Sequence, residues 1–290
     1  MDYTKSLSIV LPAKNEEQGL IGLLPTLVRL YPAAEIIVVD SGSTDQTGLI
    51  ATKNGVKVVK QPYSYGNGAA VKAGLRAAQG DIVVLMDADG QHHPEDIKAL
   101  LKKMDDGFDM VIGARKLQSH ASIGRRIANQ FYNGLASKVT NHSIKDLTSG
   151  FRAIRSELAR EFIHLLPNGF SYPTTITMAF LRSGYSVGFT SISAGARAGK
   201  SHISPIKDGL RFLLIIFKIG TLYSPLKIFV PISLVHFLTG VCYYAYTYFS
   251  FNRLTNMSVI LFLVAGLIFM FGLLSEQITS LHYSLRNTRR

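Results

Sequence analysis

The chain has 290 residues, a formal net charge of +12 and 47% hydrophobic residues, enough for one large α/β domain with further elements. Its single cysteine, Cys242, excludes a disulfide framework and a cysteine-based metal site. The basic excess has no aromatic–basic interleaving and no nucleic-acid-binding motif, so anionic lipid rather than nucleic acid is its expected partner.

In chain order, residues 1–5 are polar and lead straight into an apolar run, so no cleavable signal peptide is expected. Residues 7–11, 36–39, 56–59, 82–86 and 110–112 are short, β-branched-rich runs, as buried parallel strands should be. Helix-length segments lie between them at 16–30, 46–54, 69–79 and 94–104. Gly55 and Gly80 fall where a helix ends in a left-handed residue, and Pro94 falls where a helix opens. This rhythm predicts a doubly wound, mostly parallel α/β sheet, whose ligands bind beyond the carboxyl ends of the strands. Helices follow at 127–139 and 172–182, and strands at 150–154 and 186–193.

Residues 206–222 set Leu210, Leu213, Leu214 and Phe217 against Lys207, Arg211 and Lys218, the pattern of a helix lying in a membrane interface. No charged residue occurs between Lys227 and Arg253, nor from Leu254 to Ser275. Each stretch is long enough to span a bilayer, and Tyr243, Tyr244, Tyr246 and Tyr248 cluster like an interfacial belt. Lys207, Arg211, Lys218 and Lys227 precede the first span, while Arg286, Arg289 and Arg290 follow the second. Only Arg253 lies between them, so the positive-inside rule puts both ends in the cytoplasm. The expected division is a cytoplasmic α/β domain at 1–205, a juxtamembrane interfacial helix at 206–224, a two-helix transmembrane hairpin at 225–282 and a basic tail at 283–290. Two spans also leave room for packing with copies of the same chain.

The chemistry concentrates at three strand ends. After the fourth strand, Asp87 and Asp89 stand one residue apart where the chain leaves the pleat, followed by Gln91 and His92. Such oxygen ligands suit Mg2+ or Mn2+, placed to neutralise charge on a departing nucleoside diphosphate. After the second strand, Asp40 is positioned to accept hydrogen bonds from a base or ribose. Ser43, Thr44 and Asp45 are each candidates to cap the next helix. After the first strand, Pro12 gives a rigid turn and Glu16 and Glu17 put carboxylates in a helix's first turn.

The stretches SIVLPAKNEE, IIVVDSGSTD, GNGAAVKAGLRAAQGDIVVLMDADGQHHPED, VIGAR and DLTSGFRAI span roughly residues 6–155. With this spacing the chain resembles family 2 glycosyltransferases of the GT-A fold, specifically the dolichyl- and polyprenyl-phosphate sugar synthases. The resemblance implies that Pro12, Lys14 and Glu16 contact the donor base and that Asp40 binds ribose or base. It implies Asp87, Asp89 and Gln91 as the metal and diphosphate site. Arg115 and one of Arg125 or Arg126 fall where the family holds the acceptor phosphate. Ser149 and Gly150 match the acceptor-site turn, and Arg197 and Lys200 a basic loop that closes over the phosphates. The chain departs from the family at Lys14, where an aromatic is frequent, at Ser41, where a second acid is frequent, and at Asn67, where a basic residue is common. All three touch the donor pocket.

The reaction expected is inverting transfer of a sugar from a nucleotide donor to a polyisoprenyl phosphate. An alcohol acceptor would need a general base, and no Glu–Asp pair suited to that work stands late in the domain. A phosphate is already largely dianionic at neutral pH, and Arg115, Arg125, Arg126, Arg152, Arg197 and Lys200 supply donors suited to holding it. The rival readings are another lipid or glycan acceptor, a sugar-phosphate nucleotidyltransferase, which would need a Gly-rich basic loop near the N-terminus, and a non-enzymatic binding module.

Overall fold

The computed structural model describes residues 6–115, 123–169, 171–192 and 224–287, together with 214, 217, 218, 220 and 221. They belong to two compact units, Met1–Lys138 with His142–Ile215, and Val139–Asn141 with Ile216–Arg290. The strands of the first unit are β1 (Leu7–Ala13), β2 (Glu35–Ser41), β3 (Lys57–Gln61), β4 (Ile82–Leu85), β5 (Met110–Arg115), β6 (Arg152–Arg155) and β7 (Val187–Ile192). Its helices are α1 (Glu17–Leu30), α2 (Thr47–Lys53), α3 (Asn67–Ala77), α4 (Ile97–Asp105), α5 (Ile123–Thr140), α6 (Ser156–Glu161) and α7 (Tyr172–Arg182).

The strands form one sheet in the order β3-β2-β1-β4-β6-β5-β7. Every pairing is parallel except those of β6, which runs antiparallel between β4 and β5. The mostly parallel sheet expected from the βα rhythm is present. The reversed strand is reached from α5 through the 146–151 turn and inserts between the two parallel parts of the sheet.

Both faces of the sheet are covered, which is why the strand runs read as continuously apolar. On one face Leu20, Leu23, Leu24 and Leu27 of α1 join Ile9, Leu11, Ile36 and Val38 in a buried cluster that continues through α4. On the other face α3 presses so closely on the sheet that a methyl group at Gly74 would overlap the Val10 side chain. Gly55 ends its helix in the left-handed region, with φ 70°. Gly80 does not have a positive φ, contrary to expectation; α3 ends earlier, at Ala77. Gly80 is instead glycine because a Cβ there would lie 2.6 Å from the Ser8 nitrogen. Pro94 opens a single 3-10 turn, Pro94–Asp96, ahead of α4.

The second unit contains α8 (Leu226–Phe251) and α9 (Asn256–Asn287). Leu226–Phe251 has mean hydropathy 1.7 and Asn256–Thr279 has 2.7, and both are long enough to cross a membrane. At 1.5 Å per residue the 26 residues of α8 reach roughly 39 Å, against a hydrocarbon core of about 30 Å. Asn252, in the left-handed region, ends α8 and donates its N–H to the Tyr248 carbonyl at 2.8 Å. The helices pack through small residues: Ser233 Oγ donates to the Ala265 carbonyl at 2.8 Å, and a Cβ on Gly240 would lie 3.0 Å from the Phe262 ring. Large apolar side chains, Phe249 and Leu263 among them, face outward. Most of the expected interfacial helix at 206–224 lies outside the described residues.

Candidate active site

The site is assembled at the carboxyl ends of β1, β2 and β4, which lie side by side. β1 ends in buried Pro12 and Ala13; Lys14 is exposed, and Asn15 takes a left-handed turn with φ 55°. Asn15 binds the β1 loop to the β2 loop. Its N–H donates to Ser43 Oγ at 3.1 Å, and its Oδ1 accepts the Thr44 N–H at 2.9 Å. The Glu16 N–H donates to Thr47 Oγ1 at 2.9 Å, a second tie between the same loops. Asp40 sits opposite Ala13 in register, and its Oδ1 accepts the Ser43 N–H at 3.0 Å.

Gln46 occupies the N-cap position of α2 without a side-chain cap bond, and of the three candidate caps Asp45 binds the helix start from one residue further out. It accepts the Thr47 N–H at 3.0 Å and, through its other oxygen, the Glu17 N–H at 3.3 Å, so one carboxylate serves the starts of α1 and α2. Burial pushes the Asp45 carboxyl up, but the Thr47 and Glu17 hydrogen bonds outweigh it and hold the pKa below its ordinary value.

Beyond β4 the chain keeps one more ladder bond, from the Met86 N–H to the Val10 carbonyl, and then turns out of the sheet. Asp87 is half-buried and Asp89 buried, and Asp89 Oδ1 accepts the Gln91 N–H at 3.1 Å. Gly150 packs over Asp87: a Cβ there would lie 2.9 Å from Asp87 Oδ2 and 3.1 Å from the Tyr172 hydroxyl. Beside them His92 stacks on Phe151, with ring centroids 4.9 Å apart. Burial pushes the His92 imidazole down to about 4, so it is neutral at physiological pH.

The turn from 146 to 152 supplies Asp146 and Thr148, which the sequence left without roles. Asp146 is 5% exposed and accepts the backbone N–H groups of Thr148 and Ser149, each at 3.1 Å. Arg115 engages the same carboxylate through Nε at 2.9 Å and Nη2 at 3.1 Å, and donates to Thr148 Oγ1 at 2.7 Å. Burial lowers the Arg115 pKa and Asp146 more than restores it; in return Arg115 and the turn's N–H groups hold Asp146 below its ordinary value despite burial. Arg115 also feels the charge of Asp87 and is braced by Asp146. Ser149 Oγ donates to the Gly113 carbonyl at 2.6 Å and is buried, which ties the turn to β5.

Arg152 is a correction. The sequence grouped it with phosphate-holding cations, yet it is 0% exposed. Its guanidinium donates to the Ser149 and Pro173 carbonyls and to Thr177 Oγ1, beneath the Tyr172 ring. Burial pushes its pKa down to about 10, while the charges of Tyr172, Asp146 and Asp87 act to raise it. Arg152 therefore holds the turn from below and does not reach a ligand. The side chains of Arg125 and Arg126, and residues Arg197 and Lys200, lie outside the described residues.

Asp87, Asp89 and Gln91 are hard oxygen donors on one short turn, a set that fits Mg2+ or Mn2+. Among the described residues no group of three or more His, Cys, Asp or Glu converges.

Residues 8–163 match the family model for glycosyl transferase family 2. The chain belongs to this family. Residues 224–281 match a second model, the GtrB C-terminal hairpin. A dolichyl-phosphate hexose transferase of Haloferax volcanii is 32% identical over 213 residues, covering 72% of this chain and 91% of that one. An undecaprenyl-phosphate 4-deoxy-4-formamido-L-arabinose transferase of Photorhabdus laumondii is 31% identical over 192 residues, covering 60% of this chain. The family 2 chain described here spans only 59% of that relative's length. Among solved structures, glucosyl-3-phosphoglycerate synthase of Mycobacterium tuberculosis, in complex with Mn2+ and uridine-diphosphate-glucose, superposes with a TM-score of 0.62 at 23% identity. That match covers 75% of this chain and 79% of the other, and it establishes the shared GT-A-like fold.

Proposed function

We propose that this family 2 chain transfers a sugar, with inversion, from a nucleotide-sugar donor to a polyisoprenyl phosphate at the cytoplasmic face of a membrane. The observation that carries the reading is the union, in one chain, of a family 2 domain with a GtrB-type hairpin. The Haloferax volcanii relative, named a dolichyl-phosphate hexose transferase and covered over 91% of its length, supports the same acceptor class.

In this reading Asp40, held by Ser43, accepts hydrogen bonds from the donor's base or ribose, and Pro12, Lys14 and Glu16 line the same loop cluster. Asp87, Asp89 and Gln91 hold Mg2+ or Mn2+, which offsets the charge of the departing nucleoside diphosphate. An acceptor phosphate oxygen attacks the anomeric carbon as the bond from that carbon to the diphosphate breaks, and no general base is required because the nucleophile is already ionised. Arg115, braced by Asp146, supplies positive charge near Asp87 for the reacting phosphates. Arg125, Arg126, Arg197 and Lys200 complete the proposed phosphate contacts, with Ser149 shaping the turn beneath them.

The proposed division places the catalytic domain at 1–205, an interfacial helix at 206–224, the membrane hairpin at 225–282 and a cytoplasmic basic tail at 283–290. Lys207, Arg211, Lys218 and Lys227 on one side and Arg286, Arg289 and Arg290 on the other support a cytoplasmic catalytic domain and C-terminus. The test is to incubate the purified full-length protein with labelled nucleotide sugars and polyprenyl phosphates and to extract the lipid. Label is expected in an acid-labile polyprenyl-phosphate sugar. Label confined to a diacylglycerol lipid, a glycan or protein would overturn the acceptor assignment.

A further inference from the structure

β3 ends at Gln61, whose Oε1 accepts the Ser41 hydroxyl at 2.7 Å across the strand end that carries Asp40. The loop beyond it reads Pro62-Tyr63-Ser64-Tyr65. Its backbone lies directly against the Asp40 loop: Gly42 has φ 65°, and a Cβ on it would sit 2.7 Å from the Tyr63 Cα. Tyr63 is 59% and Tyr65 43% exposed, and their ring centroids are 4.2 Å apart.

Two large rings held side by side in water are an unfavourable way to leave apolar surface, since each aromatic can bury on the order of 150–250 Å². Pro62 restricts the backbone just ahead of them, so the pair is preordered rather than collapsed into the core. The loops after β1 and β2, Lys14-Asn15-Glu16 and Gly42-Ser43-Thr44-Asp45, contain hydrogen-bonding and charged groups but no ring. At this end of the sheet Asp40 offers a polar edge, and Tyr63 with Tyr65 offers exposed aromatic surface, the two ring planes tilted 41° to one another. A planar, heteroaromatic ligand group needs both kinds of contact.

We propose that Tyr63 and Tyr65 form the aromatic wall against which the base of the nucleotide donor stacks, one strand over from Asp40. This rests on the nucleotide-donor reading above and adds to it the side chains on which the base stacks. Stacking tolerates every base, because each has a π-face. The tyrosines therefore supply affinity, and discrimination among bases falls to the hydrogen-bonding groups of the neighbouring loops.

The test is calorimetric titration of the full-length, detergent-solubilised protein with uridine diphosphate, guanosine diphosphate and inorganic pyrophosphate, each with Mn2+. Wild type is compared with the double variants Y63A/Y65A and Y63F/Y65F. Both rings are exposed, so both variants should keep the wild-type melting temperature. The alanine variant should bind its preferred nucleoside diphosphate at least about fivefold more weakly, with pyrophosphate binding unchanged, and the phenylalanine variant should match wild type. Equal nucleotide affinity in wild type and Y63A/Y65A would overturn this inference while leaving the transferase reading standing. Parallel loss of nucleotide and pyrophosphate binding in Y63A/Y65A would also overturn it, because the rings would then be acting through the diphosphate site. Failure of the wild type to bind either nucleoside diphosphate would overturn this inference and the donor reading together.

Discussion

Asp89 combines burial with a carboxylate oxygen already engaged by the Gln91 N–H, so its orientation is fixed before any ligand arrives. Asp89→Ala is expected to lower transfer roughly 100-fold or more while leaving membrane insertion and the melting temperature unchanged. Transfer at wild-type rate by this variant would remove Asp89 from the metal site. Gly150 makes a finer point, because the constraint there is steric: a Cβ would stand 2.9 Å from Asp87 Oδ2. Gly150→Ala is therefore expected to displace Asp87 and reduce kcat roughly 10- to 100-fold, with a raised Mn2+ requirement in the titration of rate against metal. The carboxylate pair was legible in the sequence because two acids one residue apart end an apolar strand. Asp146 and Tyr172 were not, since their partners Arg115, Arg152 and Gly150 meet them only through the antiparallel course of β6. Arg152 was misread for the same reason: from sequence a cation in this turn resembles a phosphate donor, and only its complete burial shows otherwise.

At the scale of elements, acids act as clamps. Glu35 at the start of β2 accepts the Ser8 hydroxyl at 2.6 Å, the Gln79 N–H at 2.8 Å and Lys57 Nζ at 2.8 Å, so it ties β1, β3 and the end of α3 to one strand. Burial acts to raise its pKa, but these partners together hold it below the ordinary value of 4.5. A carboxyl depressed in the folded state adds stability that is present in full above its unfolded pKa and lost as pH falls through the folded one. The same sign applies to Asp146. The melting temperature should therefore begin to fall below about pH 6.5, where the unfolded chain protonates His92 and the folded one does not, and fall further at more acid pH as these carboxyls titrate. Glu35→Gln should be less stable at neutral pH and show a shallower acid decline; an unchanged decline would remove Glu35 from the clamp. The strands and most helices were legible because periodicity and β-branched composition mark them locally. The reversal of β6 was not, since strand direction is set by long-range pairing with Leu85 and Ile112, and no local pattern encodes it.

At the scale of the whole molecule, the chain joins a polar-edged catalytic sheet to a hairpin whose outward surface is apolar. Leu263 is 62% and Leu267 59% exposed on α9, so their surroundings decide whether the helix is stable. Each arginine placed mid-span costs about 2.5–3.5 kcal/mol on insertion scales. The double variant L263R/L267R is expected to pass from the carbonate-resistant membrane fraction to the soluble or aggregated one, and its retention in membranes would sink the assignment of α9 as a span. The charge-free runs made this hairpin legible because hydropathy is a local property of sequence, unlike the meeting of Asp146 with Arg115.

The position of β7 along the chain has a consequence for biosynthesis. Among the described residues it is the last strand of the sheet, and it ends at Ile192, ahead of α8, which begins at Leu226. A ribosome making this protein completes β1–β7 before it starts α8, and N-terminal domains generally fold first during synthesis. The enzyme domain can thus close its sheet, including the late β4–β6 and β5–β7 pairings, while still tethered to the ribosome. Delivery of the apolar hairpin to a membrane then concerns a chain whose N-terminal domain is already folded.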